Sequence, residues 1–227
     1  MNRRRFLRAA LLLVGFGWGQ WIALPGAEPA NLNLLKTEIG TYVDSGEYDR
    51  DIARVAGEAH EWLEHCVARE AQRPPGERRR LAAVFDIDET LLSNLPHMRK
   101  MDFGYVPAAW NAWVDLGEAP AIRPVRDLLV FARQKGIAIF ILTGRFERDR
   151  AGTDKNLRAV GITDLSGLSF KPADQPQSTG SFKTECRRKI VADGFTIVLN
   201  IGDQKSDLDG GFAERTFKLA DPFYEIR

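Results

Sequence analysis

Apolar and polar residues change their rhythm along this chain, and the changes divide it. Over residues 33–72 the rhythm is helical. Tyr48, Ile52, Val55, Ala59, Trp62 and Cys66 recur at steps of three and four and so share one helix face. Ser45-Gly46 predicts a break between two helices. Arg73-Pro74-Pro75-Gly76-Glu77-Arg78-Arg79-Arg80 has linker character, its arginines either solvated or close to an anionic substrate. Short continuous apolar runs then take over at 81–87, 137–142 and 195–201, with shorter candidates at 168–170 and 216–219. Such runs suit strands covered on both faces. Helical patterns lie between them. One spans 124–135, with Pro124 at a favoured first position and Gly136 as stop. Another spans 183–193 and ends at Gly194. Alternating strand and helix predicts an α/β fold with a central parallel sheet covered by helices.

In such a sheet, ligands bind beyond the carboxyl ends of the strands. Asp86, Thr143 and Asp203 each fall where an apolar run gives out, so polar signals converge on one edge. Asp86-Ile87-Asp88-Glu89-Thr90 offers two carboxylates. One can attack as a nucleophile, and the other can protonate a departing alkoxide and then activate water. Thr143-Gly144-Arg145 offers a hydroxyl and backbone amides for phosphoryl oxygens. Thr143 would serve equally as a helix cap and Arg145 as an ion-pair partner. Lys183, read as opening a helix, would face an anion together with the helix N-terminus. Gly202-Asp203-Gln204-Lys205-Ser206-Asp207 adds a tight turn and two more acids. Asp203 with Asp86 forms a hard, oxygen-rich site suited to magnesium. At 4 Å two unit negative charges repel by about 4 kcal/mol at an effective dielectric of 20, so a carboxylate attacking a phosphate needs such screening.

With 227 residues the chain has room for one domain plus decoration, and its net charge of +1 gives no field to hold a nucleic acid polymer. The N-terminus adds a different signal. Arg3, Arg4, Arg5 and Arg8 precede an apolar run at about 9–24, which reads as an export signal over residues 1–30. Asn2-Arg3-Arg4-Arg5-Phe6-Leu7-Arg8 resembles the twin-arginine pattern. The alternatives are a Sec signal or an uncleaved anchor, the only membrane contact expected. The destination is periplasmic or secreted in each case. Two cysteines, Cys66 and Cys186, would be free to pair there, with two buried thiols as the plainer expectation. Oligomeric state leaves no mark in the sequence.

Taken together, these motifs resemble the haloacid dehalogenase (HAD) superfamily. Asp86-x-Asp88-x-Thr90 is similar to its first motif, Thr143 to its second, Lys183 to its third, and Gly202-Asp203-x-x-x-Asp207 to its fourth. More narrowly, residues 33 to the C-terminus resemble the class B-like acid phosphatases, a group that includes plant acid phosphatases and vegetative storage proteins. The resemblance implies a Rossmann-like fold with a small cap and an N-terminal helical extension. It divides the chain into helices and linker at 31–80 and a core at 81–227, with a cap at about 93–122. It implies a magnesium-dependent acid phosphatase acting on small phosphate monoesters, with a phosphotransferase on the same scaffold or a non-catalytic storage or binding relative as the alternatives. Asp86 would be the nucleophile and a metal ligand. Asp88 would be the general acid/base, with its backbone carbonyl on the metal. Thr143, Gly144 and Lys183 would hold the phosphoryl group, and Asp203 would bind the metal. Asp207 and Arg145 would support the site. Phe182 and Lys205 stand where the family usually has Tyr and Trp, which bears on substrate preference. In the cap, Trp110 and Trp113 share a helix face and are expected to pack it onto the core rather than stack on an aromatic leaving group, with His97 structural or solvent-facing rather than catalytic.

Overall fold

The computed structural model describes residues 29–173 and 177–226. The arginine motif and apolar run at the N-terminus lie outside the described residues. Helix α1 (Leu32–Asp44) starts at Asn31, whose side chain accepts from the Asn33 and Leu34 amides at 3.0 and 3.4 Å. Gly46, with φ +74°, makes the turn into α2 (Glu47–Ala71). Helix α2 buries Tyr48, Ile52, Val55, Ala59 and Cys66 as the spacing predicts, with Leu63 completing the stripe. Trp62 stays partly exposed, its indole N–H donating to the Val198 carbonyl at 2.7 Å.

After a 3-10 turn at Pro75–Glu77, strand β1 (Arg80–Phe85) runs into the acidic motif. Helices α3 (Leu95–Lys100) and α4 (Pro107–Leu116) follow, then α5 (Arg123–Gln134), β2 (Ala138–Phe146), α6 (Arg150–Ala159) and β3 (Gly167–Lys171). The chain ends through α7 (Thr179–Ala192), β4 (Phe195–Gly202), the short α8 (Lys205–Leu208) and β5 (Thr216–Lys218). The strands form one parallel sheet in the order β3-β2-β1-β4-β5.

Alternation along the strands makes three layers. Leu81, Ala83, Phe85, Ile139 and Ile141 join the core beneath α2 and α5. Ala82, Val84, Leu142 and Ile197 face the other way and meet Ile190 of α7. Each fully buried Leu, Ile or Phe of this kind contributes about 1.5–3 kcal/mol. Covering on both faces is why these strands read as continuous apolar runs. The segment carrying α3 and α4 leaves and rejoins the sheet at one base, closed by Ser93 N to Pro120 O at 2.9 Å and Ile122 N to Leu91 O at 3.0 Å.

Several sequence expectations are corrected. Strand β2 does not stop at Leu142 but continues through Thr143, Gly144 and Arg145, because Thr143 and Phe146 still pair with Phe170 and Lys171 across a register shift. Thr143 is therefore no helix cap. Helix α7 begins at Thr179, capped by Ser178, so Lys183 lies past the first turn and away from the helix N-terminus. Helix α6 had no counterpart in the hydrophobic pattern, since it buries mainly Gly152, Thr153 and Asn156 beside a single Leu157. Of the arginines expected to be solvated, Arg80 is exposed, with its guanidinium 3.9 Å from the Phe195 ring centroid, whereas Arg79 is half-buried and pairs with Glu70 and Glu214. The cysteines follow the plainer expectation in being free thiols, although only Cys66 is buried and Cys186 is half-exposed.

Candidate active site

The turn after β1 makes the site. Asp86 N still bonds to Ile201 O at 3.1 Å, extending the sheet pairing by one residue. The amides of Thr90, Leu91 and Leu92 then all converge on the Ile87 carbonyl, and Glu89 takes φ +49°. The chain reverses there, leaving Asp86 buried and Asp88 half-buried at the carboxyl edge. Strand β4 ends one strand away and delivers Asp203, whose Oδ1 accepts from Thr90 Oγ1 at 3.3 Å. Gly202 is required for close approach, not for a turn. A Cβ there would fall inside the Asp207 side chain. Asp207 Oδ2 in turn accepts from Gln204 N at 2.8 Å. Arg187, fully buried, donates to the carbonyls of Asp207 at 2.6 Å and Gly211 at 3.0 Å, and so pins this loop to α7.

Asp86, Asp203 and Asp207 each place a carboxylate oxygen within 4.8 Å of the others. Lys183 joins them, donating to Asp86 Oδ1 in a short ion pair and to Asp207 Oδ1 at 2.6 Å. Three buried carboxylates facing one ammonium leave a deficit of two positive charges. Burial therefore raises Asp86 to about 7 even against the pull of Lys183. Burial, together with the charges of Asp86 and Asp207, raises Asp203 well above its ordinary value. Burial alone would lower Lys183, but Asp86 and Asp207 reverse this and hold it protonated. Hard oxygen donors, close together and short of positive charge, suit a divalent cation.

Asp88 has a different environment. Arg145 donates to both its oxygens, at 2.7 and 3.2 Å, and Asn94 Nδ2 donates to Oδ1 at 2.8 Å. Burial would raise this carboxyl, yet Arg145 and Asn94 bring it below its ordinary value. Arg145 thus acts as the ion-pair partner among the alternatives left open above, braced by Thr153 Oγ1 at 2.9 Å. Gly144 opens on the cavity, whereas Thr143 is wholly buried, its hydroxyl accepting from Arg145 N at 3.1 Å.

A cavity of about 410 Å³ stands over these groups. Its floor holds Asp86, Asp88, Gly144, Lys183, Asp203 and Asp207; its walls include His97, Phe103 and Trp110, and Phe223 and Tyr224 from the C-terminal tail. The His97 ring stacks on Trp113 at 5.6 Å and meets Trp110 edge-on at 5.9 Å. Trp110 and Trp113 thus both pack against His97; Trp113 also lies against the main core, and Trp110 lines the cavity. Sequence reasoning assigned nothing to Glu89, Asn94 or Tyr224. Glu89 is wholly buried, accepts from Asn94 N at 2.5 Å and Tyr224 Oη at 3.2 Å, and is pushed up to about 8 by burial and by Asp88. The signal available for Glu89 was its place inside the acidic motif; Tyr224, 135 residues away, had none.

A doubly covered parallel sheet with aspartates beyond β1 and β4 and a lysine from α7, the helix that leads into β4, has the architecture of the HAD superfamily. Residues 27–227 match the family described as "HAD superfamily, subfamily IIIB (Acid phosphatase)". The chain belongs to that subfamily, and its class is that of a phosphomonoesterase hydrolase. Acid phosphatase 1 of Solanum lycopersicum is 36% identical over 190 residues, 82% of this chain and 72% of that protein. Vegetative storage protein 1 of Arabidopsis thaliana is 34% identical over 147 residues, 63% of this chain but only 54% of that one. Among solved structures, the class C acid phosphatase of Bacillus anthracis superposes with a TM-score of 0.68 at 24% identity, over 86% of this chain and 87% of that. That likeness concerns the fold.

Proposed function

We propose that this chain hydrolyses small phosphate monoesters through a phosphoryl group carried on Asp86, with magnesium as the resident ion. The observation that carries the reading is the separation of two carboxylates two residues apart. Asp86 lies inside a buried cluster short of positive charge, and Asp88 is held outside it by Arg145 and Asn94. In the first step an Asp86 oxygen bonds to phosphorus, the bond from phosphorus to the ester oxygen breaks, and Asp88, in the protonated fraction that acid pH supplies against the pull of Arg145, gives that oxygen a proton. In the second, water adds to phosphorus while Asp88 takes its proton; the bond from phosphorus to Asp86 breaks and phosphate leaves. Lys183 keeps Asp86 aimed and offsets phosphoryl charge, and the Gly144 backbone faces the transferring group. Asp86 and Asp203, with Asp207 beside them, would hold the cation, joined by the Asp88 carbonyl that the family pattern assigns to it. The ion would screen the charge between nucleophile and substrate. Thr143 shapes the phosphate site from beneath.

The same reading assigns residues 1–30 to export by the twin-arginine route, 31–80 to helices and linker, and 81–227 to the catalytic core with a cap at about 93–122. The protein then works in the periplasm or outside the cell. Phosphate release from an aryl phosphate should stop on chelation and return with magnesium. Asp86→Asn should lower it on the order of 10⁴-fold. Undiminished release from Asp86→Asn would reject the assignment.

A further inference from the structure

The two groups that hold Asp88 are each engaged by a tryptophan of α4. Arg145 lies with its guanidinium carbon 5.7 Å from the Trp110 ring centroid. Asn94 accepts the indole N–H of Trp113 on its Oδ1 at 2.8 Å. The second contact decides an orientation. A side-chain amide can sit either way round, and only one way aims N–H groups at an acid. With Oδ1 taken by Trp113, the Asn94 amide nitrogen must face Asp88 Oδ1 at 2.8 Å and Glu89 Oε2 at 3.0 Å. A flipped Asn94 would set its carbonyl oxygen against the Asp88 carboxylate and leave the indole N–H without an acceptor, in a part-buried setting where unmet donors are costly. Trp113 itself is absent from the cavity lining, unlike Trp110.

We propose that Trp113 is a positioning residue for the proton-transfer step, acting through Asn94 to hold the Asp88 carboxylate toward the ester oxygen. The cap helix thereby does more than wall the cavity: it fixes the acid. This rests on the reading of Asp88 as general acid. It makes a demand that simple packing does not. A nitrophenolate departs readily without a proton, whereas an alkoxide needs one. Misplacing the acid must therefore harm alkyl esters selectively.

The test compares kcat/KM, which reports the steps through departure of the alcohol, for 4-nitrophenyl phosphate and ethyl phosphate in the full-length, magnesium-loaded protein. Trp113→Phe keeps a ring against His97 and removes only the N–H. Its kcat/KM for ethyl phosphate should fall about tenfold, and for 4-nitrophenyl phosphate less than about twofold. Asn94→Ala, which removes the whole link, should show the same selectivity and carries the test should Trp113→Phe fold poorly. Equal losses on both esters, or no loss on either, would overturn the proposal. Asp88→Asn is the benchmark. Should it show no selectivity for the alkyl ester, the acid assignment itself falls and the positioning role falls with it. Selectivity in Asp88→Asn without selectivity in the other two variants rejects the positioning role alone.

Discussion

Two clusters of charge in this molecule are built from similar parts and behave in opposite ways. At the end of α2, Glu70 and Glu214 face Arg69, Arg73 and Arg79, with contacts between 2.6 and 3.5 Å. Burial would raise both acids, and the arginines instead bring both below the usual range. At the sheet edge, three aspartates cluster beside one lysine that pairs with two of them, Asp86 and Asp207, and burial lifts Asp86 and Asp203. The first cluster contains its own counter-charge and ties α2 to the start of β1 and to the loop at 214. The second is left short of positive charge. A fold that needed only stability would gain nothing from gathering three buried carboxylates around one ammonium. The shortfall is what a cation and a substrate would answer.

The contrast can be broken most forcefully at Lys183. Replacing it with Met in chelated protein should destabilise the fold by about 3–5 kcal/mol, as removal of one buried partner does. Added magnesium should recover part of that loss. Urea unfolding with and without the ion measures both, and unchanged stability in Lys183→Met would contradict the charge shortfall. Next is the ion's effect on the native protein. Magnesium at a hundred times its dissociation constant should stabilise by about 2.7 kcal/mol, and Asp203→Asn should largely abolish the accompanying rise in Tm.

Opposite pH slopes sharpen the comparison further. Asp86 is raised in the folded state from near 4 to about 7. Between those values the metal-free native state binds more protons than the unfolded chain, so stability should fall as pH rises through that window. Magnesium should flatten the slope. Glu70 and Glu214 are lowered, so their contribution is present above the ordinary carboxylate pKa and is lost as pH falls below it. Thermal melts at pH 4 to 8, with and without chelator, separate the two. A metal-free protein that gains stability between pH 5 and 7 would invert the assignment for Asp86. The smallest effect belongs to Glu214→Gln. It should change stability by at most about 1 kcal/mol, with phosphate release unchanged.

Much of the framework was legible because it is written in local rhythm. Apolar runs ending in Asp86 and in Gly202-Asp203 are short-range patterns, and two-sided burial makes them conspicuous. The helices at 32–71 were equally plain, since one face of α2 must be apolar to cover the sheet. Helix α6 was not, because small and polar residues carry its buried face. The limits of β2 and α7 were misread for a related reason: Thr143-Gly144-Arg145 looks like the end of a strand, yet neighbouring β3 keeps it paired.

By itself the sequence determined the class of fold, the order of the acidic motifs and their place at the ends of strands, because each depends on composition within a few neighbouring positions. Tertiary structure alone decided how those residues are tuned. Asp88 meets Arg145 across 57 residues, and Lys183 meets Asp86 across 97. Trp113 is linked to Asp88 by hydrogen bonds through Asn94. Whether a carboxyl is raised or lowered follows from the charges and solvent around it in space, and those are set by packing between segments distant along the chain.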